Sequence, residues 1–472
     1  MPQSEAKPPV HRSGTLKHPV CVKLPTEMAT KSDLIHVSAP AELTGKTCRV
    51  PGSKSEANRA LIAELLAPST GLGVTQLPDS EDITILSGLF RQLGFNVQEV
   101  EGKGLCVKAN RAIPGKALTI DCKQSGTALR FLTAACTVLP GTWTLTGTPR
   151  LAERPLKPLI DALREAGARI QADVLPLTIV GNPDWQPKRL VLREAPTSQF
   201  ASALLLMGWV LPIGTELDLP AHRPSRAYEQ HTHAFLLAEG VKWTPTETGY
   251  RLTSRAEWPP DERRIAGDWS AASYLLVPAL FRRGQYTIAG LQKGTLQADE
   301  CQLEWLAGRV DSFEFTTEGL RLSSIGVYEQ PGFELDCSNN PDLAQTYAVA
   351  ALGCRGTSLL TGLGTLPLKE TDRLAALVTE LQKTGAQVAH GPDWLRITPP
   401  ERWPAAPLTF NTYDDHRMAM AFALVSLFHV PGVFIHHPQV VTKSFPDYWV
   451  QLANLSFQVN PATAPPNDTS PQ

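Results

Sequence analysis

Gly52-Ser53-Lys54-Ser55-Glu56-Ala57-Asn58-Arg59-Ala60-Leu61-Ile62-Ala63-Glu64-Leu65-Leu66-Ala67 reads as a turn, a serine able to cap, and an apolar helix behind it. The arrangement of a polar or glycine-bearing point opening an apolar run returns five more times. It recurs at Gly126, Ser198, Ser270, Asp342 and Asp415, in four steps of 72 residues and a last step of 73. A second series runs out of phase with the first. Gly94, Gly167, Gly240, Gly308 and Gly385 each close an apolar helix end and precede an alternating segment. That is where a left-handed residue ends a helix. The two series together predict six copies of one unit. Six unrelated amphipathic helices with ordinary caps would explain neither the period nor the basic residues at the starts.

Helix N-termini carry unpaired N–H groups and partial positive charge, so six equivalent starts brought together would form an anion-binding surface. Composition agrees with a small anionic ligand. The 472 residues are enough for two or three domains, with 42% hydrophobic and 19% charged content, as in ordinary globular proteins. A net charge of −2 gives no global basic field toward nucleic acid or a membrane, so any cationic cluster must be local.

The eight cysteines (Cys21, Cys48, Cys106, Cys122, Cys136, Cys301, Cys337, Cys354) contain no C-x-x-C pair. They read as reduced thiols of a cytoplasmic chain, with no metal site. No apolar run approaches the length of a membrane span. Residues 1–32 lack a signal-peptide core and are not Arg-rich, so they are expected to be a disordered extension, as is the tail 459–472.

In the opening stretch Ser55 and Arg59 fall one turn apart on a shared face, and Lys54 stands at the positive helix start. Taken alone this string fits a solvated lysine on a capped helix equally well, and it lacks the second glycine of a Walker loop. Three further stretches favour a site. They are Arg150-Leu151-Ala152-Glu153-Arg154-Pro155, Lys369-Glu370-Thr371-Asp372-Arg373, and Asp414-Asp415-His416-Arg417 together with Lys443-Ser444-Phe445-Pro446-Asp447. Any one of them reads as a salt-bridged face. All of them lie at predicted element ends, where loops carry function.

With Ser125-Gly126-Thr127-Ala128-Leu129-Arg130, Thr197-Ser198-Gln199-Phe200 and Thr442-Lys443-Ser444-Phe445-Pro446-Asp447-Tyr448 added, this ordered set resembles the 3-phosphoshikimate 1-carboxyvinyltransferase (EPSP synthase) family from about Asp33 to Gln458. The resemblance implies an α/β fold of two domains, each holding three βαβαββ units, with helix N-termini facing an interdomain cleft. Residues 33–50 plus 267–458 would form one domain and 51–266 the other, with a hinge near Pro51 and Gly267. It implies transfer of the enolpyruvyl group of phosphoenolpyruvate to the 5-hydroxyl of shikimate 3-phosphate, through a tetrahedral intermediate and with release of phosphate. No metal or organic cofactor, nucleic acid or membrane is implied, and a monomer is expected.

By motif match, Lys54 would touch both substrates, and Ser55 and Arg59 would hold the shikimate ring and carboxylate. Thr197, Ser198 and Ser225 would bind its phosphate, with Gln199, Tyr228, Thr365 and Lys369 beside them. Gly126, Arg154, Gln199, Arg373, Arg417 and Lys443 would take phosphoenolpyruvate. Asp342 would also line the shikimate side and act as base for the hydroxyl. Glu370 or Lys443 would handle the methylene proton.

Gln124, Ser125, Phe131, Thr197 and Thr365 depart from residues common in the family. Gly126 implies glyphosate sensitivity. The sister transferase acting on UDP-N-acetylglucosamine would need an Asn after the opening Lys and a reactive loop cysteine. An RNA 3′-phosphate cyclase would need basic and aromatic interleaving. A catalytically dead relative would have lost Asp342, Glu370 or the arginines.

Overall fold

The computed structural model describes residues 32–43, 47–109, 115–326 and 330–463. Six helices stand at the expected starts: Lys54–Leu66, Gly126–Ala135, Ser198–Leu206, Trp269–Leu276, Ala344–Ala351 and His416–Ala423. Five are capped by a side chain accepting a first-turn N–H, from Ser53, Ser125, Thr197, Asp268 and Asp415. Each such cap contributes about 1 kcal/mol. The fourth helix starts one residue before Ser270, because Asp268 supplies the cap. The fifth differs more. Asp342 lies in a 3₁₀ turn, Pro341–Leu343, and the helix proper begins at Ala344. Its carboxylate is engaged elsewhere and cannot cap.

The second series also takes the expected conformation. Gly94, Gly167, Gly240, Gly308 and Gly385 all have φ between 77° and 94°. The sixth unit uses Ser456, at φ 71°, where the others use glycine.

Each unit contributes a four-stranded sheet of one pattern. In one, Lys116–Asp121 pairs parallel with Gly141–Thr146, which pairs antiparallel with Leu177–Gly181, itself antiparallel to Arg169–Gln171. Three sheets are completed by strands remote in sequence. Glu262–Arg264 pairs with Gly73–Leu77, Thr47–Arg49 with Arg283–Ala289, and Leu34–Ser38 lies between Val433–His436 and Gln458–Pro461. The chain thus stays in the fold to Pro461, past the point where a disordered tail was expected. Residues 1–31 and 464–472, where the rest of that expectation falls, lie outside the described residues.

The helices are buried among two separate hydrophobic cores. One draws on residues from Ile35 to Val50 and from Trp269 to Phe457. The other runs from Ala57 to Ile265. The chain crosses between them twice, and the crossings lie side by side. Ser53 N–H donates to Ala266 O (2.7 Å), and Asp268 N–H to Pro51 O (2.9 Å). At the bridge between Gly52 and Gly267 a side chain on Gly267 would stand 2.4 Å from Gly290 O.

Candidate active site

The helix starts of both cores converge on one cleft. Seven cationic side chains line it (Lys54, Arg59, Arg130, Arg154, Lys369, Arg373, Arg417) against four carboxylates (Asp82, Asp268, Asp342, Glu370). A chain of net charge −2 therefore carries a locally cationic cleft. Such a cleft attracts anions.

On the wall formed around the core that runs from Ala57 to Ile265, Arg59 is 3% exposed and fully engaged. Its Nε donates to Thr232 Oγ1 (2.7 Å), its Nη1 to Ser55 Oγ (2.8 Å) and its Nη2 to Tyr228 O (2.9 Å). The one-turn spacing of Ser55 and Arg59 thus becomes a direct contact. Lys54 Nζ stands 3.5 Å from the buried Asp82 carboxylate, and its N–H donates to Asp268 Oδ2 (3.1 Å). Thr197 and Ser198 open their helix at the cleft. Ser225 lines it in the left-handed region (φ 56°), its N–H donating to Ser338 O (3.0 Å). Tyr228 also lines the cleft and donates to Asp299 Oδ2 (3.4 Å).

Gly126 sits where two guanidiniums approach. A Cβ there would stand 2.5 Å from Arg130 Nη1 and 2.8 Å from Arg154 Cζ. Arg130 Nη1 donates to Gln199 Oε1 (2.6 Å), and Gln199 Nε2 to Thr127 Oγ1 (2.9 Å). Arg154 Nη1 donates to Gln124 O (3.4 Å).

The opposite wall is one ion-pair network. Asp342 accepts from Arg417 Nη2 (2.8 Å), Arg373 Nη1 (3.1 Å) and Lys369 Nζ (3.2 Å). Glu370 accepts from Arg373 Nη2 (2.9 Å) and pairs with Lys443 Nζ (3.1 Å), with Arg154 Nη1 at 4.0 Å. Arg373 also donates from Nε to the fully buried Asp415 (2.7 Å), which caps the next helix through Arg417 N–H (2.9 Å). One planar fork thereby serves three carboxylates, which a lysine cannot do.

Burial works against ionisation of Asp342, but Arg417, Lys369 and Arg373 outweigh it and hold the carboxyl well below its usual range. Glu370 is treated likewise: burial opposes its charge, while Lys443, Arg373 and Arg154 prevail. Burial lowers Lys369, partly offset by Asp342.

Every residue singled out from the sequence as a site candidate lines the cleft except Lys443, which reaches it through Glu370 and lies 3.5 Å from Gln124 O. Thr365 lines it with a buried hydroxyl that has no hydrogen-bond partner among the described residues.

Sequence reasoning quoted Arg130 and His416 within its motifs but gave them no role, and it missed Asp82 and Asp268. Arg130 follows Gly126 by four residues, the same one-turn offset that flagged Ser55 and Arg59, but it is embedded in an apolar helix. His416 lines the cleft with neither ring nitrogen hydrogen-bonded among the described residues. Burial first, then Lys54 and Arg417, push its pKa well down and keep it neutral.

The family model for EPSP synthase (3-phosphoshikimate 1-carboxyvinyltransferase) matches residues 37–452. A 3-phosphoshikimate 1-carboxyvinyltransferase of Sodalis glossinidius is 35% identical over 436 residues, covering 89% of this chain and 97% of that protein. One from Ralstonia nicotianae is 34% identical, covering 88% and 98%. Among solved structures, an EPSP synthase from Acinetobacter baumannii superposes with a TM-score of 0.70 at 22% identity, covering 90% of this chain and 99% of that one. The enolpyruvyl transferase NikO from Streptomyces tendae gives 0.67 at 15%, covering 92% and 100%.

Proposed function

The chain belongs to the EPSP synthase family, and from that premise we propose how its cleft divides the work of the reaction. That reaction transfers the enolpyruvyl group of phosphoenolpyruvate to shikimate 3-phosphate, a step of aromatic amino acid biosynthesis. In our reading Lys54, Ser55, Arg59, Thr197, Ser198, Gln199, Ser225, Tyr228, Asp342, Thr365 and Lys369 hold shikimate 3-phosphate. Lys54, Gly126, Arg154, Gln199, Arg373, Arg417 and Lys443 hold phosphoenolpyruvate. Paired N–H donors of arginine suit carboxylate and phosphate oxygens.

The 5-hydroxyl oxygen attacks C2 of phosphoenolpyruvate and gives its proton to Asp342. C3 takes a proton from Glu370 or Lys443, forming a tetrahedral ketal phosphate. Loss of a proton from C3 and cleavage of the bond from C2 to the phosphate oxygen then form the enol ether and release phosphate to the surrounding cations. The observation that carries this reading is the bridging of Asp342 and Glu370 by the single guanidinium of Arg373. It holds a base and a proton carrier side by side at a cationic cleft.

The two cores act as domains, 33–50 plus 267–458 and 51–266, that close on the substrates about the paired crossings. A monomer and the cytoplasm are the oligomeric state and the compartment we assign. Sedimentation and cell fractionation test these two points.

Phosphate release by purified protein tests the reaction, with both substrates together and with each alone. Release is expected only when both are present. A folded protein that releases none would refute the assignment.

A further inference from the structure

Arg150 belongs to neither substrate grip, yet it crosses between the cores. It sits in the short helix Pro149–Glu153, on the wall formed around the core that runs from Ala57 to Ile265. Its guanidinium reaches the main chain of the opposite wall. Nη2 donates to Pro367 O (3.0 Å) and Lys369 O (3.1 Å), and Nε to Glu370 O (3.3 Å). Nη1 pairs with its own helix at Glu153 Oε2 (3.1 Å).

The three carbonyls lie at the end of the 3₁₀ turn Leu366–Leu368. Terminal carbonyls of a helical turn lack partners within it and form its negative end, where a cation is favoured. The side chains of Lys369 and Glu370 on this segment belong to the proton-handling network. Their placement depends on the path of the main chain that Arg150 ties down. The motif Arg150-Leu151-Ala152-Glu153-Arg154 thus splits its arginines. Arg154 faces the cleft, while Arg150 grips the backbone behind Glu370.

We propose that Arg150 is a positioning residue for the transfer reaction: by capping the carbonyls of Pro367, Lys369 and Glu370 from the opposite core, it sets where Glu370 and Lys369 stand and latches the cleft in its working geometry. This role rests on the transferase reading above. A fork that spans three carbonyls is specific to arginine, and a lysine would satisfy one or two of them.

Arg150 pairs with a surface glutamate, so its removal strands no buried charge. The test compares wild type, Arg150→Ala, Arg150→Lys and Glu370→Gln, together with the Arg150→Ala/Glu370→Gln double variant. It measures kcat, KM for each substrate and thermal unfolding. A displacement of about 1 Å in a catalytic group can cost about 100-fold, so Arg150→Ala should lower kcat on the order of 10- to 100-fold with an unchanged melting temperature. Arg150→Lys should recover part of that loss. The part of the effect that runs through Glu370 is lost once Glu370 is already Gln, so Arg150→Ala should cost clearly less there than in wild type.

A purely structural contact would instead cost the same in both backgrounds, and that result would overturn the role, as would an unaffected kcat in Arg150→Ala. If the alanine variant fails to fold, Arg150→Gln replaces it under the same criteria. An inactive wild type would overturn the transferase reading and this role with it. An active wild type with a fully active Arg150→Ala would overturn this role alone.

Discussion

Replacing Gly126 by Ala adds one carbon at the point where two guanidiniums meet. The new Cβ would stand 2.5 Å from Arg130 Nη1, so that nitrogen must retreat by about 0.9 Å to reach an ordinary 3.4 Å contact. Arg154 Cζ, at 2.8 Å, must yield by about 0.6 Å to reach the same distance. Both guanidiniums line the cleft, so any retreat moves them within the binding site: Arg130 is 2% exposed and Arg154 9%. The retreat strains the 2.6 Å bond from Arg130 to Gln199, which is itself oriented by Thr127. Losing one charge-assisted hydrogen bond costs about 1.5 to 3 kcal/mol. That corresponds to a rise of about 10- to 100-fold in KM for phosphoenolpyruvate. The KM for shikimate 3-phosphate should rise less, because that ligand shares Gln199 but keeps Arg59, Ser55 and Ser225 untouched. The assay is initial-rate phosphate release, varying one substrate while the other is saturating. Glyphosate at limiting phosphoenolpyruvate should inhibit the wild type and lose potency against the variant. An unchanged KM for phosphoenolpyruvate would show that Gly126 does not shape its grip and would refute the argument.

The Arg373→Lys variant removes a fork that serves Asp342, Glu370 and Asp415 together, leaving the fully buried Asp415 short of a partner. Breaking a buried pair of this kind costs about 3 kcal/mol, to be read as a lower urea midpoint; an unchanged midpoint would contradict it. Asp299 gives a pH signature. Burial, and then the charge of Asp342, raise its pKa to about 7, with Ser270 and Arg417 opposing and Asp268 adding to the rise. A carboxyl whose folded pKa is raised contributes stability that is complete below its unfolded value and is lost as pH climbs through the folded one. Wild type should therefore lose up to about 4 kcal/mol between pH 4 and 8 from this group. Asp299→Asn should flatten that slope, leaving the part due to Glu56, which burial also raises to about 7. An identical pH dependence of the urea-unfolding free energy in the two proteins would rule this out. The carboxyl of Asp342, followed by carbon NMR, should titrate well below the usual range in the free enzyme and move upward when both substrates are bound to the Glu370→Gln variant, whose turnover is slowed. A resonance that stays put would count against redistribution of its cations.

What the sequence made legible was local. Ser53, Ser125, Thr197, Asp268 and Asp415 cap helices because a short polar side chain beside an apolar run has little else to satisfy, so their spacing exposes the units. Glycine at a left-handed position is equally local, and the sixth unit escaped because Ser456 takes that conformation instead. Asp342 misled by two residues: it resembles a cap, but the pull of Arg417, Arg373 and Lys369 on its carboxylate is tertiary. Strands such as Leu34–Ser38 complete sheets about 400 residues away, beside Val433–His436, and no local pattern announces such a partner. Arg130 stood in a quoted motif but its role stayed hidden, because its partners, Gln199 and Pro155 O, come from other parts of the chain.

The electrostatics of the cleft also bear on the order of events. In the free enzyme Arg417, Arg373 and Lys369 spend their charge on Asp342, and Lys443, Arg373 and Arg154 spend theirs on Glu370. A carboxylate held below its usual range is a weaker base toward a hydroxyl proton. The incoming phosphates and carboxylates compete for the same cations, and each cation drawn toward substrate leaves Asp342 and Glu370 with less compensation. Burial then pulls their affinity for protons upward. The acids become competent when the cations have turned to the substrates. On the proposed division of roles, the side chains that recognise the anions would also withhold the chemistry until both anions are in place.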